Sequence, residues 1–352
     1  MTNSSLFASM GAAIHSFCSP RSSFKVAANV PQGNPDFLAF ESELASRLEQ
    51  LKFTNETGYV SIEWLCQAME MVLSTHSSAE AFASDLHQCI IIGDERCIDS
   101  FLDNSVKLLD TCVVLKASIA DIKSYCSYLK AASRAVEKES IGEIQLKRSL
   151  NSLKKCMDAL KRGNDVNNHL TQRRSKLENC SSMLRRMGER LNNEDASNGS
   201  FFMAIYAAQV ITIFVCGLLS SALSFKLKRA PSSIRGNGHS PWSFSLISLQ
   251  HRMKEQIEKS NSRDSKALLE ELDMVDMAVR DFQNILQKTL HGNSSCEKQI
   301  QILKVKESAK VLQTLLVDLQ QGVHTLEFHV DNIYRNLLRS RIAFLDMYRH
   351  SS

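Results

Sequence analysis

The chain has 352 residues, enough for one large domain or two small ones with a sizeable core. Its 13 glycines and 5 prolines are about 5% of the chain, against roughly 12% in an average protein; this argues against a β-sandwich, a barrel or a Rossmann-type enzyme, all of which need glycine in their turns. Hydrophobic residues at 43% and charged residues at 23% exclude global disorder, and a net charge of +4 is too small to imply nucleic acid by itself.

All five prolines (Pro20, Pro31, Pro35, Pro231, Pro241) lie outside the long periodic stretches, so long helices are expected in 36–230 and 242–352. Residues 1–35 are Ser-rich, carry Arg21 and Lys25, and have no acid; they are expected to be a disordered tail or a plastid-type targeting segment. The N-terminal helical region spans 36–200. Its first helix, 36–52, puts Phe37, Phe40, Leu44, Leu48 and Leu51 on one face. Ser61 is expected to cap a second helix carrying Ile62, Leu65, Met69, Val72 and Leu73. Asp94 opens a long helical run through Ile98, Phe101, Leu108, Cys112, Ile119, Ile122 and Leu129. Within it, Lys107 and Asp110 are expected to pair as a structural feature of one helix turn.

Two seams follow with alternating steps of three and four. One is Leu146, Leu150, Leu153, Met157 and Leu160; the other is Leu177, Cys180, Leu184, Met187 and Leu191. The run 201–225 contains no charged residue, and Lys226, Lys228 and Arg229 follow it. Its length and flanking charge favour membrane insertion. Gln209, Thr212 and Ser220 make it only moderately apolar, and a helix at the centre of the bundle fits the same pattern. A single span would put the two halves on opposite sides of a membrane; if they pack together, the run lies inside the bundle or dips into one leaflet.

Residues 226–241 form a basic linker rich in Ser, Pro and Gly, in which Ser232 and Ser233 are candidate phosphorylation sites. Residues 242–352 are expected to form a helical hairpin packed with the N-terminal helices. Its first arm runs as one helix from Leu246 to Leu286 and ends at His291-Gly292-Asn293. Its second carries Leu316, Leu319, Val323, Leu326, Val330, Ile333, Leu337, Ser340 and Phe344. The fold class is therefore all-α: an elongated multi-helix bundle with long coiled-coil-like helices and a C-terminal helical hairpin.

Charge is unevenly placed. Residues 36–142 hold 9 basic and 17 acidic side chains, whereas 143–190 hold 12 basic and 5 acidic. Lys147-Arg148, Lys154-Lys155 and Lys161-Arg162 recur every seven residues, opposite the leucine seam, as a candidate basic surface for anionic lipid headgroups or an acidic partner. A solvated face is the simpler alternative. Few aromatic residues interleave with these cations, so nucleic acid is not expected.

No chemical motif emerges. The ten cysteines include no C-x-x-C pair and sit in helical patterns, as small core residues do. Phosphate-loop, nucleophile-elbow, zinc-protease and di-iron signatures are absent. Asp273 and Asp276 read as a solvated helix edge. No catalytic, cofactor-binding or metal-binding residue is expected.

Three segments carry a family likeness: DFLAFESELASRLEQL at 36–51, Ser61-Ile62-Glu63-Trp64-Leu65-Cys66-Gln67-Ala68-Met69, and CIDSFLDNSVKLLDTC at 97–112. In this order they resemble the plant BYPASS family, over roughly residues 36–350. The resemblance implies a plant protein of root and shoot development, linked to restraint of a root-derived mobile signal, with no established catalytic residues. Some relatives are described as plastid-targeted and others as membrane-associated. The function expected is a non-enzymatic, membrane-associated regulator or scaffold, single-pass or peripheral, with protein partners bound through helical surfaces. The alternatives are an enzyme or carrier acting on an apolar metabolite, and a plastid location.

Overall fold

The structure, a computed structural model, describes residues 34–51, 59–82, 95–137, 141–161, 169–191, 200–224, 233–234, 240–260, 267–291 and 295–351. These residues form an all-α bundle of α1 (Pro35–Gln50), α2 (Ile62–Glu80), α3 (Glu95–Arg134), α4 (Glu143–Lys161), α5 (His169–Leu191), α6 (Ser200–Ala222), α7 (Pro241–Ser260), α8 (Glu270–His291) and α9 (Ser295–Ser351). The expected tail, the opening residue Asp94 and most of the 226–241 linker lie outside the described residues.

Local chemistry sets the helix starts. Pro35 occupies the first turn of α1, where its missing N–H costs nothing, and the Asn34 side chain accepts from the Asp36 amide. Ser61 caps α2 as expected, with its hydroxyl accepting from the Trp64 amide. The α1 face (Phe37, Phe40, Leu44, Leu48) is buried, and so are Ile62, Leu65, Met69 and Val72 of α2.

The spine is an antiparallel pair, α3 against α9. Phe101 meets Phe344 (ring centroids 4.7 Å apart), Lys116 pairs with Asp331 (2.5 Å), Lys123 pairs with Glu327, and Gln313 donates to Glu137 (2.6 Å). All eight apolar members of the α9 seam from Leu316 to Phe344 are buried, each contributing about 1.5–3 kcal/mol. The ninth, Ser340, donates to Glu80 of α2 (3.0 Å). α2 runs parallel to α9 and comes close to it at Gly322, where an added Cβ would stand 2.6 Å from Ile62 Cδ1. That approach accounts for a glycine in the interior of a long helix.

The other helices cover this spine. α4 flanks the C-terminal half of α3, where Ser149 donates to the Ala132 carbonyl (2.9 Å), and α8 lies against α4 and α9. α5 and α6 flank its N-terminal half, and α7 lies along α1 with Trp242 buried edge-on against Tyr206 of α6. The seams of α4 and α5 thus face α3 and its neighbours more than each other. Met157 and Leu160 have side chains outside the described residues.

The C-terminal third departs from the expected single first arm. α7 ends at Ser260 and α8 begins at Glu270, and each goes to different neighbours, α7 to α1 and α8 to α9 and α4. The reason lies just before α8. Val60 donates to the Leu268 carbonyl and accepts from the Glu270 amide (both 3.0 Å), forming a parallel bridge between Val60 and Leu269. The chain there is extended and pairs with the segment entering α2.

Two carboxylates complete this clasp. Asp273 accepts from the Tyr59 hydroxyl (2.7 Å) and the Ala267 amide (3.1 Å), and Glu271 accepts from the Ile62 amide (2.9 Å), an N–H that helix geometry leaves without a partner. Asp273 is therefore buried, at 1% exposure, and not on a solvated edge. Asp276, three residues on, pairs with Arg280 (2.6 Å). Replacing Asp273 by Ala should lower unfolding free energy by about 2–4 kcal/mol, because buried donors lose a charged acceptor. Asp276→Ala should cost about 0.5 kcal/mol or less. Urea denaturation of both variants checks the contrast; equal losses would contradict the clasp.

Candidate functional site

α6 is the least polar helix and the most enclosed. Its 23 residues have a mean hydropathy of 2.2 over the most apolar stretch, and 83% of that stretch is buried inside the bundle. α2 and α5 cover it on two sides, α1 and α3 add to the cover, and α9 reaches it at Val330, Ile333 and Phe344. Its polar residues are turned to these neighbours. Thr212 Oγ1 donates to the Ala208 carbonyl (2.7 Å) and lies 2.8 Å from His76 Nε2 of α2. With the threonine proton already used, His76 must donate through Nε2–H, which fixes its neutral tautomer. Burial lowers the His76 pKa to about 4. Ser220 shares a 2.7 Å hydrogen bond with Ser181 of α5, and Gln209 Oε1 accepts a long one (3.5 Å) from Asn104 of α3.

The gap where α2, α3, α6 and α9 meet is lined by Met69, Cys112, Leu115, Val215, Cys216, Leu219, Val330 and Ile333 and has no room for a water molecule. Thiols around the core are inert. Burial pushes Cys112, Cys126 and Cys156 up to about 12, and pushes Cys66 to about 11 with help from Glu70, Glu271 and Glu63. The six cysteines whose side chains are described are all free. Among the described residues no group of three or more His, Cys, Asp or Glu side chains is placed to hold a metal ion.

The segment Asp103–Cys112 proves to be a joint. Lys107 pairs with Asp103, four residues back on the same helix, and not with Asp110, which is exposed. Lys107 holds the Asp103 carboxyl below the usual carboxylate range, and Arg190 of α5 approaches the same oxygen at 3.6 Å. Arg341 of α9 reaches across to donate to the Leu102 carbonyl (2.5 Å) and the Ser105 hydroxyl (2.6 Å). These residues tie α3, α5 and α9 together. Ser61 and Trp64 act likewise as cap and core. The sequence gives no hint of His76, Asn104 and Arg341 in these roles, because each partner lies more than a hundred residues away.

Lys147, Arg148, Lys154 and Lys155 all point outward from α4, opposite buried Leu146, Leu150 and Leu153. Lys147 pairs within its own helix with Glu143 (2.5 Å). The Lys161 side chain and Arg162 lie outside the described residues. So does Ser232, whereas Ser233 is exposed. Its neighbour Ile234 is buried: Gln250 of α7 brackets its backbone at 3.0 and 3.1 Å, and Gly188 of α5 makes room for its side chain.

The motif residues thus account for how the bundle is joined, and the sequence that carries them is similar to known proteins. The family model described as Protein BPS1 matches residues 61–347. The chain belongs to the BPS1 family. This agrees with the resemblance carried by the three motifs. Protein BPS1, chloroplastic, of Arabidopsis thaliana is 24% identical over 314 residues, which cover 88% of this chain and 82% of that protein. UPF0496 protein 4 of Oryza sativa subsp. japonica is 25% identical over 69% of this chain, and the match spans 52% of that protein. Protein ROH1D of Arabidopsis thaliana is 20% identical, with 91% of this chain and 90% of that protein covered. No solved structure gives a significant match.

The buried His76 has a defined effect on stability. Its folded pKa of about 4 lies below the value of 6.5 expected when unfolded. The unfolded chain therefore binds the extra proton first as pH falls. The stability due to neutral His76 is complete above pH 6.5 and is lost progressively toward pH 4, by about 3 kcal/mol in all. Comparing wild type with His76→Gln by urea denaturation at several pH values should show a steeper acid loss in wild type. Parallel pH profiles would contradict the assignment.

Proposed function

We propose that this member of the BPS1 family is a non-enzymatic helical regulator or scaffold of plant development that acts by presenting a braced bundle to partners. The observation that carries this reading is where the reactive groups sit. Five of the six thiols with described side chains are buried, burial raises the pKa of all six, His76 is sealed against Thr212, and the motif residues close helix joints. Restraint of a root-derived mobile signal, the role implied by the BYPASS resemblance, would then come from contacts made to other proteins. Purified full-length chain incubated with root extract should leave every metabolite at the level of a heat-denatured control. Specific consumption of one metabolite would favour the enzyme or carrier reading instead.

Membrane association through α6 is the second reading, supported by the 23-residue length and hydropathy of that helix. In the bundle, α3 from one side of α6 and α9 from the other are packed together, so a spanning α6 requires that the bundle open. The word chloroplastic in the name of the Arabidopsis relative supports a plastid location, together with the basic, acid-free residues 1–35. The bundle form should be extracted from plant membranes by alkaline carbonate, with Cys216 protected from a water-soluble maleimide until denaturant is added. Resistance to carbonate would establish α6 as a span.

A further inference from the structure

One end of the bundle gathers four helix ends. Residues 135–142 join the end of α3 to the start of α4, and residues 292–294 join the end of α8 to the start of α9. Lys147, and at longer range Lys298, hold the Glu143 carboxyl below its usual range, which brings the first turns of α4 and α9 to the same neighbourhood. The exposed cations there are Arg134, Lys147, Arg148, Lys288, Lys298 and Lys304. Among the described side chains the acids at this end are Glu137, engaged by Gln313, Glu143, engaged by Lys147, and Glu307; the sequence adds Glu139 and Glu297 beside Lys138 and Lys298.

Among these cations stand large apolar side chains that no described residue covers. Ile144 is 68% exposed, Leu303 65% and Ile300 52%. Ile144 lies one turn from Lys147 and Arg148, and Ile300 and Leu303 lie between Lys298 and Lys304. α9 turns its buried seam, beginning with Val305, Ala309 and Leu312, to the bundle and turns these two outward. Apolar residues placed at a protruding end among cations, and not in a groove, match a surface that is anionic at its face and apolar beneath. A solvated charged face explains the cations and leaves the three apolar side chains without a role.

We propose that this end, built from the first turns of α4 and α9 with the end of α8, docks reversibly on an anionic lipid bilayer. Cations meet the headgroups, and Ile144, Ile300 and Leu303 enter the boundary below them. An acidic protein surface would satisfy the cations alone. The proposal shares the membrane with the α6 reading but leaves α6 in the core, and the two fail separately. Docking is reversed by salt, whereas a spanning α6 resists both salt and carbonate.

The test is sedimentation of the full chain with vesicles of neutral phosphatidylcholine, or of the same lipid with about a third anionic phosphatidylglycerol. Binding should need the anionic lipid and be lost in about 0.5 M salt. Lys147→Glu with Lys298→Glu should weaken binding about tenfold or more, and Ile300→Ser with Leu303→Ser should weaken it at unchanged charge. Lys254→Glu, a charge reversal on exposed α7, should have no effect. Circular dichroism should show all variants folded, because every substituted side chain is exposed. The proposal is overturned by equal binding to neutral vesicles, by no binding, by a Lys254→Glu loss as large as that of the α4–α9 pair, or by binding to acidic peptide without binding to vesicles.

Discussion

The antiparallel contact of α3 with α9 is the constraint on which the other helices depend. It joins the first third of the chain to the last, and it creates the two flanks against which everything else is laid. Along it the apolar seam of α9 supplies most of the energy. The cross-helix pairs, Lys116 with Asp331 and Lys123 with Glu327, set direction and register more than stability, since half-exposed ion pairs contribute little. Arg341 is different. It places its guanidinium against a backbone carbonyl and a buried hydroxyl of α3, so a shift of one turn would strand polar groups.

The buried polar contacts share a common character. His76 with Thr212, Ser181 with Ser220, and Asp273 with Tyr59 each link separate elements of the bundle, and each leaves a buried polar group unmatched if either element slides. A seam of Leu, Val and Ile alone tolerates slippage by a heptad. These contacts make one arrangement preferable to its neighbours. The segments Ser61 to Trp64 and Asp103 to Cys112, which carry the family resemblance in this chain, fall at such joints.

Periodicity made the helices readable. The faces of α1, α2, α4, α5 and α9 follow from spacing of three and four, and the Ser61 cap from a serine ahead of an apolar run; the run of α6 is apolar on nearly every side, a pattern that fits a membrane span as well as an enclosed helix. What spacing does not encode is which face meets which. Leu246 to Leu286 reads as one continuous arm because the pattern resumes in phase, yet the bridge of Leu269 with Val60 sends α7 and α8 to different partners. Lys107 has carboxylates on both sides, at Asp103 and Asp110; Arg190 from α5 gathers toward the first, and this tertiary neighbour is invisible along α3. Asp273 looks like any acid in the first turn of a helix until the segment before α2 is laid beside it.

The order in which the chain is made bears on α6. α1, α2, α3 and α5 precede it, and these are the helices that cover most of its surface, but the α9 residues that close the last gap beside Val215 and Leu219 come much later. α6 is complete at Ala222, and α9 begins only at Ser295. During synthesis there is thus an interval in which the most apolar helix is finished and its final neighbour does not yet exist. A choice between a bilayer and the bundle would fall in that interval: once Val330 and Ile333 of α9 close the gap beside Val215 and Leu219, α6 has its full set of neighbours.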